Sequence, residues 1–339
     1  MQRRKFLTGA TTAGVVAASS AVGVRASAAQ DTVRWRMQRY YGTETDHIHA
    51  PLADDIRAAS GERMELTHFR GGELAPNDQI LESLSMGMLE MAQGFGAYWP
   101  GRLDLGNIEA GLPMAWSNIS EAYHLWYGLG LEELLREAYA EQGVHYICPM
   151  FGGPYDLLTK EPISSLEDLK GMRIRATSTI SAVLEQFDIP TVYAPPEELY
   201  LGLNTGSLDG VIYGGAHDYK LLKLDEVAIH YTELSLLQPG YADGMLVNMR
   251  AWESLAPDLQ KIVELATKEM AAQQHYWNNT EAQAALQDGG FQVQSLPQDD
   301  VMALTEAAQQ VWEDEAEKSE RNAKAVEMIR TIARGAGRL

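Results

Sequence analysis

Arg173 and Arg175 alternate with apolar residues in the segment 172–176, which has the pattern of a β-strand. In a strand the two arginines share one face, and Arg175 lies at its carboxyl end, just before a helix. Ligands of α/β sheets bind at the carboxyl ends of strands, where a guanidinium offers two parallel donors to a carboxylate. The pattern predicts an anion site at Arg175. The alternative is that both arginines face solvent or pair with Glu167 and Asp168.

Aromatic residues that follow other strand-like runs could line the same site, because aromatic walls suit a small ligand. Tyr41 and the pair Tyr98–Trp99 follow two such runs near the amino end, and Tyr155 follows a third. The segment 213–219 reads as a loop after a strand and adds a tyrosine and an acid. The ligand-binding candidates are therefore Arg175, Tyr213, Tyr155, Tyr98, Trp99, Tyr41 and Asp218. For each aromatic residue, packing in the core is the alternative.

Other reactive residue types do not form a recognisable catalytic or metal-binding pattern. His47 and His49 are two residues apart at a helix start, where their side chains point in different directions. Cys148 lies in an apolar, strand-like run, and we expect it to be buried and inert. G-x-S-x-G and H-E-x-x-H are absent from the sequence. The sequence therefore predicts no metal and no cofactor. A secreted lyase or hydrolase acting on a small organic acid stays open as the alternative, since carboxylate pairs leave no local signature.

The elements around these residues predict an α/β fold. From residue 161 onward, helices 178–187 and 195–204 separate short strands, which is typical of a mainly parallel sheet. A long helix is predicted from Pro257 to about residue 286, and a last helix from about 298 to 333. A helix of that length would reach across two lobes, so we expect several chain crossings between them.

The first 28 residues have the pattern of an export signal. Arg3 and Arg4 precede a weakly apolar stretch that ends in the cleavage-type sequence Ala26-Ser27-Ala28. Twin arginines indicate the Tat route, so the predicted location is the periplasm. The signal carries four cations and no acids, and its removal changes the formal net charge from −20 to −24. Such a charge disfavours nucleic acid and anionic membranes as partners, and no segment is apolar enough to embed the chain.

Several motifs in order resemble the DctP-type substrate-binding subunits of TRAP transporters. The similarity covers about residues 33–280. Its motifs are Phe69-Arg70-Gly71-Gly72-Glu73-Leu74, then Pro162-Ile163 through Leu166-Glu167-Asp168-Leu169-Lys170-Gly171 with Arg175, then Leu203-Asn204-Thr205-Gly206-Ser207-Leu208-Asp209-Gly210, and Ala251-Trp252-Glu253-Ser254-Leu255.

The resemblance implies a two-lobed periplasmic binding protein fold with hinge strands and a long helix spanning both lobes. Under this expectation, lobe I comprises residues 29–150 plus 238–280, and lobe II comprises residues 151–237 plus 281–339. It implies that Arg175 grips the ligand's carboxylate as the lobes close, and that the partners are the small and large membrane subunits of a TRAP transporter. We expect a monomer or a dimer.

The resemblance also bears on the ligand. Relatives that bind 2-oxo acids through a metal carry Glu-Trp where this chain has Ile212-Tyr213, which argues against a metal bridge. Many sialic-acid-type relatives carry a second arginine in the region of residues 153–158, which has none here. One arginine among many tyrosines favours a monocarboxylate, such as a 2-oxo or 2-hydroxy acid. The motifs disfavour an ABC importer as the partner.

Overall fold

A computed structural model describes residues 32–99, 101–234, 237, 239–288 and 290–339. The predicted signal at residues 1–28 lies outside the described residues. In the described part, no helix is both long enough and apolar enough to cross a membrane.

The strands are short, and their sequences alternate where one face is solvated. In the first strand Trp35 and Met37 are buried while Arg34 and Arg36 are exposed. The strands are β1 (Val33–Gln38), β2 (Met64–Phe69), β3 (Met91–Gly94), β4 (Val144–Phe151), β5 (Leu157–Thr159), β6 (Ile174–Arg175), β7 (Thr191–Val192), β8 (Gly210–Ile212), β9 (His230–Glu233), β10 (Ala242–Asn248) and β11 (Gln292–Ser295).

Helices cover the sheets and connect most of the strands. They are α1 (Asp46–Ala59), α2 (Ile80–Met86), α3 (Gly106–Ala110), α4 (Ile119–Tyr123), α5 (Leu131–Glu141), α6 (Ser178–Leu184), α7 (Leu199–Thr205), α8 (Ala216–Leu221), α9 (Met249–Ser254), α10 (Pro257–Gln287), α11 (Gln298–Ala316) and α12 (Glu320–Gly335). Short 3-10 turns at Gly96–Tyr98 and Leu166–Leu169 and a π-helical turn at His124–Gly128 complete the connections relevant here.

The strands form two sheets, which confirms the predicted α/β architecture. The first sheet has the order β2-β1-β3-β10-β4, and the second has the order β11-β9-β5-β8-β6-β7. In the first sheet β1 runs parallel to β2 and β3, while β10 runs antiparallel to β3 and β4. In the second, β6 lies parallel to β7 and β8. The carboxyl ends of β1, β3, β6 and β8 are followed by the residues of the candidate site.

The chain crosses between the sheets twice near the site, after β4 and before β10. The two crossings are joined because the Gly152 amide donates to the Tyr241 carbonyl at 2.9 Å. A second link is the buried Asp156 carboxylate, which accepts bonds from the Tyr231 hydroxyl and from the Leu234 amide at 2.9 Å. Burial raises the pKa of Asp156 to about 6. These links hold the two connecting segments side by side. The predicted lobe boundaries stay predictions.

The long helix α10 begins at Pro257, as predicted, and has 31 residues. It is therefore roughly 46 Å long at 1.5 Å per residue. It packs against α1 and β4 on the side of the first sheet and against α8 on the side of the second. One helix thus contacts elements that belong to both sheets.

Two predicted elements differ from the structure. The single helix expected over 298–333 is two helices: the first ends at Ala316, and Ser319 caps the second by accepting from the Asn322 amide at 3.0 Å. The segment 213–219, expected as a loop, contains the start of α8, whose first turn is held by the Asp218 carboxylate on the Gly215 amide.

The strand β10, which pairs with β3 on one side and β4 on the other, is buried along its whole length, so we expect it to contribute strongly to the stability of the first sheet. Leu246→Ala, at a fully buried position, should lower the free energy of unfolding by about 2–5 kcal/mol. Leu201→Ala, at a position that is 63% exposed, should change it by less than about 0.5 kcal/mol. Urea unfolding of both variants measures the difference. Equal losses would contradict the assignment of β10 to the core.

Candidate functional site

Arg175 is buried at the end of β6, with 1% of its surface exposed. Its Nε donates to the Ala194 carbonyl at 3.0 Å, and its Nη1 donates to the Ile212 carbonyl at 2.8 Å. The guanidinium carbon lies 5.1 Å from the centre of the Tyr213 ring and 5.6 Å from that of Tyr193. Two carbonyl bonds and two ring faces therefore fix the guanidinium in place.

The charge of Arg175 is not balanced by a carboxylate in the described part of the chain, where its recorded bonds go to carbonyls alone. Arg173 is the contrast: its side chain is 53% exposed and pairs with Asp209 at 3.0 Å. A buried cation without a protein counterion is costly unless an anion joins it. The two predicted arginines therefore differ in role, and only Arg175 has the surroundings of an anion site.

Six tyrosines and one acid surround a cavity beside Arg175, with an empty volume of about 240 Å³. The Tyr40 and Tyr41 rings stack at 4.2 Å between centroids, and Tyr155 lies 5.1 Å from Tyr241 and 6.5 Å from Tyr213. The residues that line this cavity, which we call the tyrosine cleft, are Tyr40, Tyr41, Tyr98, Tyr155, Tyr213, Asp218 and Tyr241.

Three of these hydroxyls form a chain that ends on a buried acid. The Tyr241 and Tyr41 oxygens are 2.5 Å apart, those of Tyr41 and Tyr40 are 2.8 Å apart, and Tyr40 donates to Asp243 Oδ1 at 2.7 Å. Asp243 lies in β10 with no exposed surface. Burial raises its pKa to about 8, against hydrogen bonds that lower it. Desolvation likewise raises the pKa of each chain tyrosine well above 10.

The structure brings most of the predicted ligand-binding residues together. Tyr41, Tyr98, Tyr155, Tyr213 and Asp218 line the tyrosine cleft, and Arg175 lies against the Tyr213 ring. Trp99 does not line it. Its ring is 2% exposed, packs 6.4 Å from Tyr139 and fills the space above Gly94. The 3-10 turn at Gly96–Tyr98 turns these neighbouring aromatics to different sides, so Trp99 lies in the core.

Tyr241 and Asp243 were missed as site residues by the sequence reading. In the structure β10 begins at Ala242, so Asp243 is a strand residue that faces Gln93 of β3. The sequence Gly-Tyr-Ala-Asp-Gly, residues 240–244, contains a tyrosine and an acid before a strand, and that signal could have placed both in the cleft.

The cysteine and the two histidines considered from the sequence lie outside the cleft. Cys148 is buried, and desolvation raises its pKa to about 12, so its thiol is inert at neutral pH. His49 is buried and bonds to Thr45 and Gln93, whereas His47 packs against the Trp277 ring. Among the described residues, no three His, Cys, Asp or Glu side chains converge to hold a metal ion.

A larger cavity, with about 990 Å³ of empty volume, lies elsewhere and shares none of the cleft's tyrosines. Its charged lining residues already have partners within the protein. Arg321 bonds to Asp104 at 3.1 Å and also pairs with Glu141, and Lys318 pairs with Glu315. These charges are paired within the protein, in contrast to that of Arg175. The smaller cleft beside Arg175 is therefore the candidate site.

Comparisons with known proteins agree with the geometry. The family model described as "DctP: Bacterial extracellular solute-binding protein, family 7" matches residues 43–319. The monocarboxylate 2-oxoacid-binding periplasmic protein of Nostoc sp. (strain PCC 7120) is 26% identical over 94% of this chain and 90% of its own.

Two solved structures are similar over nearly the whole described fold. A TRAP periplasmic solute binding protein from Chromohalobacter salexigens DSM 3043, with bound (S)-(+)-2-amino-1-propanol, has a TM-score of 0.82 and 26% identity, covering 88% of this chain and 95% of its own. A TRAP transporter solute binding protein from Bordetella bronchiseptica RB50, with copurified calcium and picolinate, has a TM-score of 0.79 and 25% identity, covering 91% and 93%.

Gly152 is required by the close approach of Tyr241. A Cβ at residue 152 would lie 1.9 Å from the Tyr241 Cζ, whereas one at Gly153 would meet no atom within 4 Å. Gly152→Ala should therefore displace Tyr241 and lower the free energy of unfolding by about 1–3 kcal/mol. Gly153→Ala should change it by less than about 0.5 kcal/mol. Urea unfolding monitored by tyrosine near-UV circular dichroism tests both, and an unperturbed Gly152→Ala variant would contradict the packing.

Asp243 should make stability depend on pH in a known direction. The unfolded chain ionises this acid near its ordinary pKa of 3.8, while the fold retains the proton up to about pH 8. The contribution of protonated Asp243 to the free energy of unfolding is fully present below pH 3.8 and is lost as the pH rises from there through 8. Asparagine does not ionise, so Asp243→Asn should become progressively more stable relative to the parent protein from pH 5 to pH 9.

The control is Asp209→Asn, because the Arg173 pair holds the pKa of Asp209 below its ordinary value. Asp209 is then ionised in both folded and unfolded chains above pH 5, and its stability difference should stay constant. Urea unfolding at pH 5, 7 and 9 measures both differences. A constant difference for Asp243→Asn as well would show that Asp243 does not titrate in this window.

Proposed function

Because this chain belongs to the bacterial extracellular solute-binding proteins of family 7, we propose that its tyrosine cleft captures a small organic anion by a carboxylate group held on Arg175. Proteins of this family are ligand-binding receptors that work with membrane subunits of TRAP transporters, and they are not enzymes. The alternative of a secreted lyase or hydrolase is set aside on that ground.

The observation that carries the proposal is the buried Arg175 with no carboxylate partner among the described residues. Its two carbonyl bonds use two of the five N–H donors of a guanidinium. A ligand carboxylate would accept from the remaining donors and would supply the missing charge. Since the surrounding rings exclude water, the attraction between the two charges is stronger there than in solvent.

The ligand class follows from the charge and the lining of the site. A cleft with one arginine beside six tyrosines suits a small monocarboxylate, such as a 2-oxo or 2-hydroxy acid. The Nostoc relative is named as a monocarboxylate 2-oxoacid-binding protein, which supports this class of ligand. A metal bridge does not fit, because Ile212 and Tyr213 offer no carboxylate beside Arg175.

Binding is proposed to close the two lobes over the ligand. The cleft walls come from both sheets, with Tyr40 and Tyr98 after strands of the first and Tyr213 after a strand of the second. The joined crossings at Gly152 and Tyr241 would act as the hinge. We further propose that the mature protein works in the periplasm after twin-arginine export.

Arg175→Ala tests the proposal. We expect the variant to lose about 2–5 kcal/mol of binding free energy, because a closed, desolvated charge pair is removed. A thermal-shift screen of small carboxylates identifies the ligand, and titration calorimetry then measures its affinity for each protein.

Arg173→Ala is the matched control, since it removes an exposed arginine two residues away and should leave the affinity unchanged. Urea unfolding checks that both variants fold. Near-native affinity in a folded Arg175→Ala variant would remove Arg175 from the site, and chemical turnover of the ligand by the parent protein would overturn the binding function.

A further inference from the structure

The hydroxyl chain in the tyrosine cleft has a direction, because each phenol carries a single proton to donate. The chain joins Tyr241, Tyr41 and Tyr40 at 2.5 and 2.8 Å and ends with Tyr40 on Asp243 Oδ1 at 2.7 Å. If Tyr40 donates to Asp243, it can only accept from Tyr41, and Tyr41 can then only accept from Tyr241. All three protons would then be used along the chain and none would be left to donate to a ligand. The direction therefore depends on whether Asp243 Oδ1 is an acceptor.

The surroundings of Asp243 decide that point. Its Oδ2 lies 3.0 Å from the Gln93 side-chain amide, and Gln93 in turn contacts Gln274 of α10 at 3.2 Å. The titratable groups that face Asp243 from the neighbouring elements are Tyr40 and Tyr41 after β1, Tyr98 after β3, Glu109 in α3, Tyr139 in α5, Tyr155 in the first crossing and Tyr241 before β10. An ionised Asp243 accepts on both oxygens, and Tyr40 then donates to it.

A neutral Asp243 leads to the same direction, as the histidine behind Gln93 indicates. His49 Nδ1 lies 2.9 Å from the Thr45 carbonyl and Nε2 lies 2.7 Å from Gln93 Oε1. Two acceptors would require a doubly protonated ring, but burial lowers the pKa of His49 to about 4. Turning the Gln93 amide by 180° places its NH2 group beside His49 Nε2, which accepts from it. The same turn places the Gln93 oxygen beside Asp243 Oδ2.

Gln274 is compatible with the turned arrangement. Its Nε2 is buried and has no hydrogen-bond partner among the described residues. When both amides are turned, Gln274 Nε2 donates to the Gln93 oxygen and Gln274 Oε1 takes the position without a partner, so the number of unpartnered groups does not change. The proton of a neutral Asp243 then lies on Oδ2, where it meets the same oxygen, and Oδ1 is left to accept from Tyr40. In either charge state of Asp243 the chain donates inward.

We propose that Tyr241 and Tyr41 present hydrogen-bond acceptors to the ligand, so that the cleft selects a carboxylate whose neighbouring carbon carries a hydroxyl or a protonated amino group over the corresponding 2-oxo acid. This inference rests on the proposed function, in which Arg175 holds the carboxylate. Arg175 lies against the Tyr213 ring, and Tyr155 neighbours both Tyr213 and Tyr241, so these groups belong to one cleft. A ligand O–H or N–H can donate to the phenol oxygens, whereas a keto oxygen would face their lone pairs.

The experiment compares matched acids that differ only at the second carbon. Titration calorimetry at pH 7 measures the affinity of the parent protein for L-lactate, pyruvate and L-alanine, and for 2-hydroxybutyrate and 2-oxobutyrate. A site built to accept a hydrogen bond discriminates strongly against an analogue that lacks the donor. The hydroxy or amino acid should therefore bind at least tenfold more tightly than its oxo counterpart.

Variants of Asp243 test whether the chain is the cause. Asp243→Asn can still accept from Tyr40 through its oxygen and donate to Gln93 through its nitrogen, so it should keep the tenfold ratio. Asp243→Leu removes the acceptor and frees the chain to donate into the cleft, so the ratio should fall below about threefold. If that variant does not fold, Tyr40→Phe interrupts the chain at the next link and should give the same loss. A merely structural role for Asp243 would change both affinities and leave their ratio intact.

The outcomes separate this inference from the proposed function. If none of these acids nor any other carboxylate binds the parent protein, the carboxylate-binding proposal fails. If the oxo acid binds as tightly as its hydroxy partner or more tightly, the proposed function stands and the acceptor assignment is wrong. If the parent protein discriminates but Asp243→Leu and Tyr40→Phe discriminate equally well, the hydroxyl chain is not the cause and the inference is overturned.

Discussion

The buried charge of Arg175 is the constraint on which the site depends. A guanidinium that is 1% exposed needs compensation for its lost hydration, and here two carbonyls and two aromatic faces supply part of it. Ile212 is the last residue of β8 and Ala194 follows β7, and these two strands flank β6, so the sheet order itself positions the cation. On the proposed function a ligand carboxylate supplies the rest of the compensation, which agrees with aromatic rather than acidic residues around the guanidinium.

The tyrosine cleft combines two requirements that normally conflict. Its walls must exclude water in order to strengthen the Arg175 interaction, yet they must offer polar groups for recognition. Tyrosine satisfies both because a large apolar ring carries one hydroxyl. The hydroxyls of Tyr40 and Tyr41 are in turn anchored on Asp243, an acid on β10, the strand into which the second crossing leads. Recognition in the cleft is thereby coupled to the position of β10.

Much of the site could be predicted from the sequence, for reasons that are local. Arg175 was found because a strand followed by a helix start places its carboxyl-end residue at the ligand edge. Tyr155 and Tyr213 were found because they follow strands at that same edge. Trp99 was misleading, since no sequence pattern tells which way a 3-10 turn directs two adjacent aromatics. Asp243 was missed because a buried acid in a strand contradicts strand propensity, and its partners Tyr40 and Gln93 lie about 200 and 150 residues away.

The place of β10 in the first sheet has a consequence for how the protein assembles. This strand lies between β3 and β4, but it is made only after the whole of the chain up to residue 241. Until it arrives, β3 and β4 have unpaired edges, which are templates for pairing with other chains. Contacts so distant in sequence also slow folding, since a long loop must close before they form. A chain interrupted before residue 242 would therefore lack the strand that joins β3 to β4 and would be prone to aggregate.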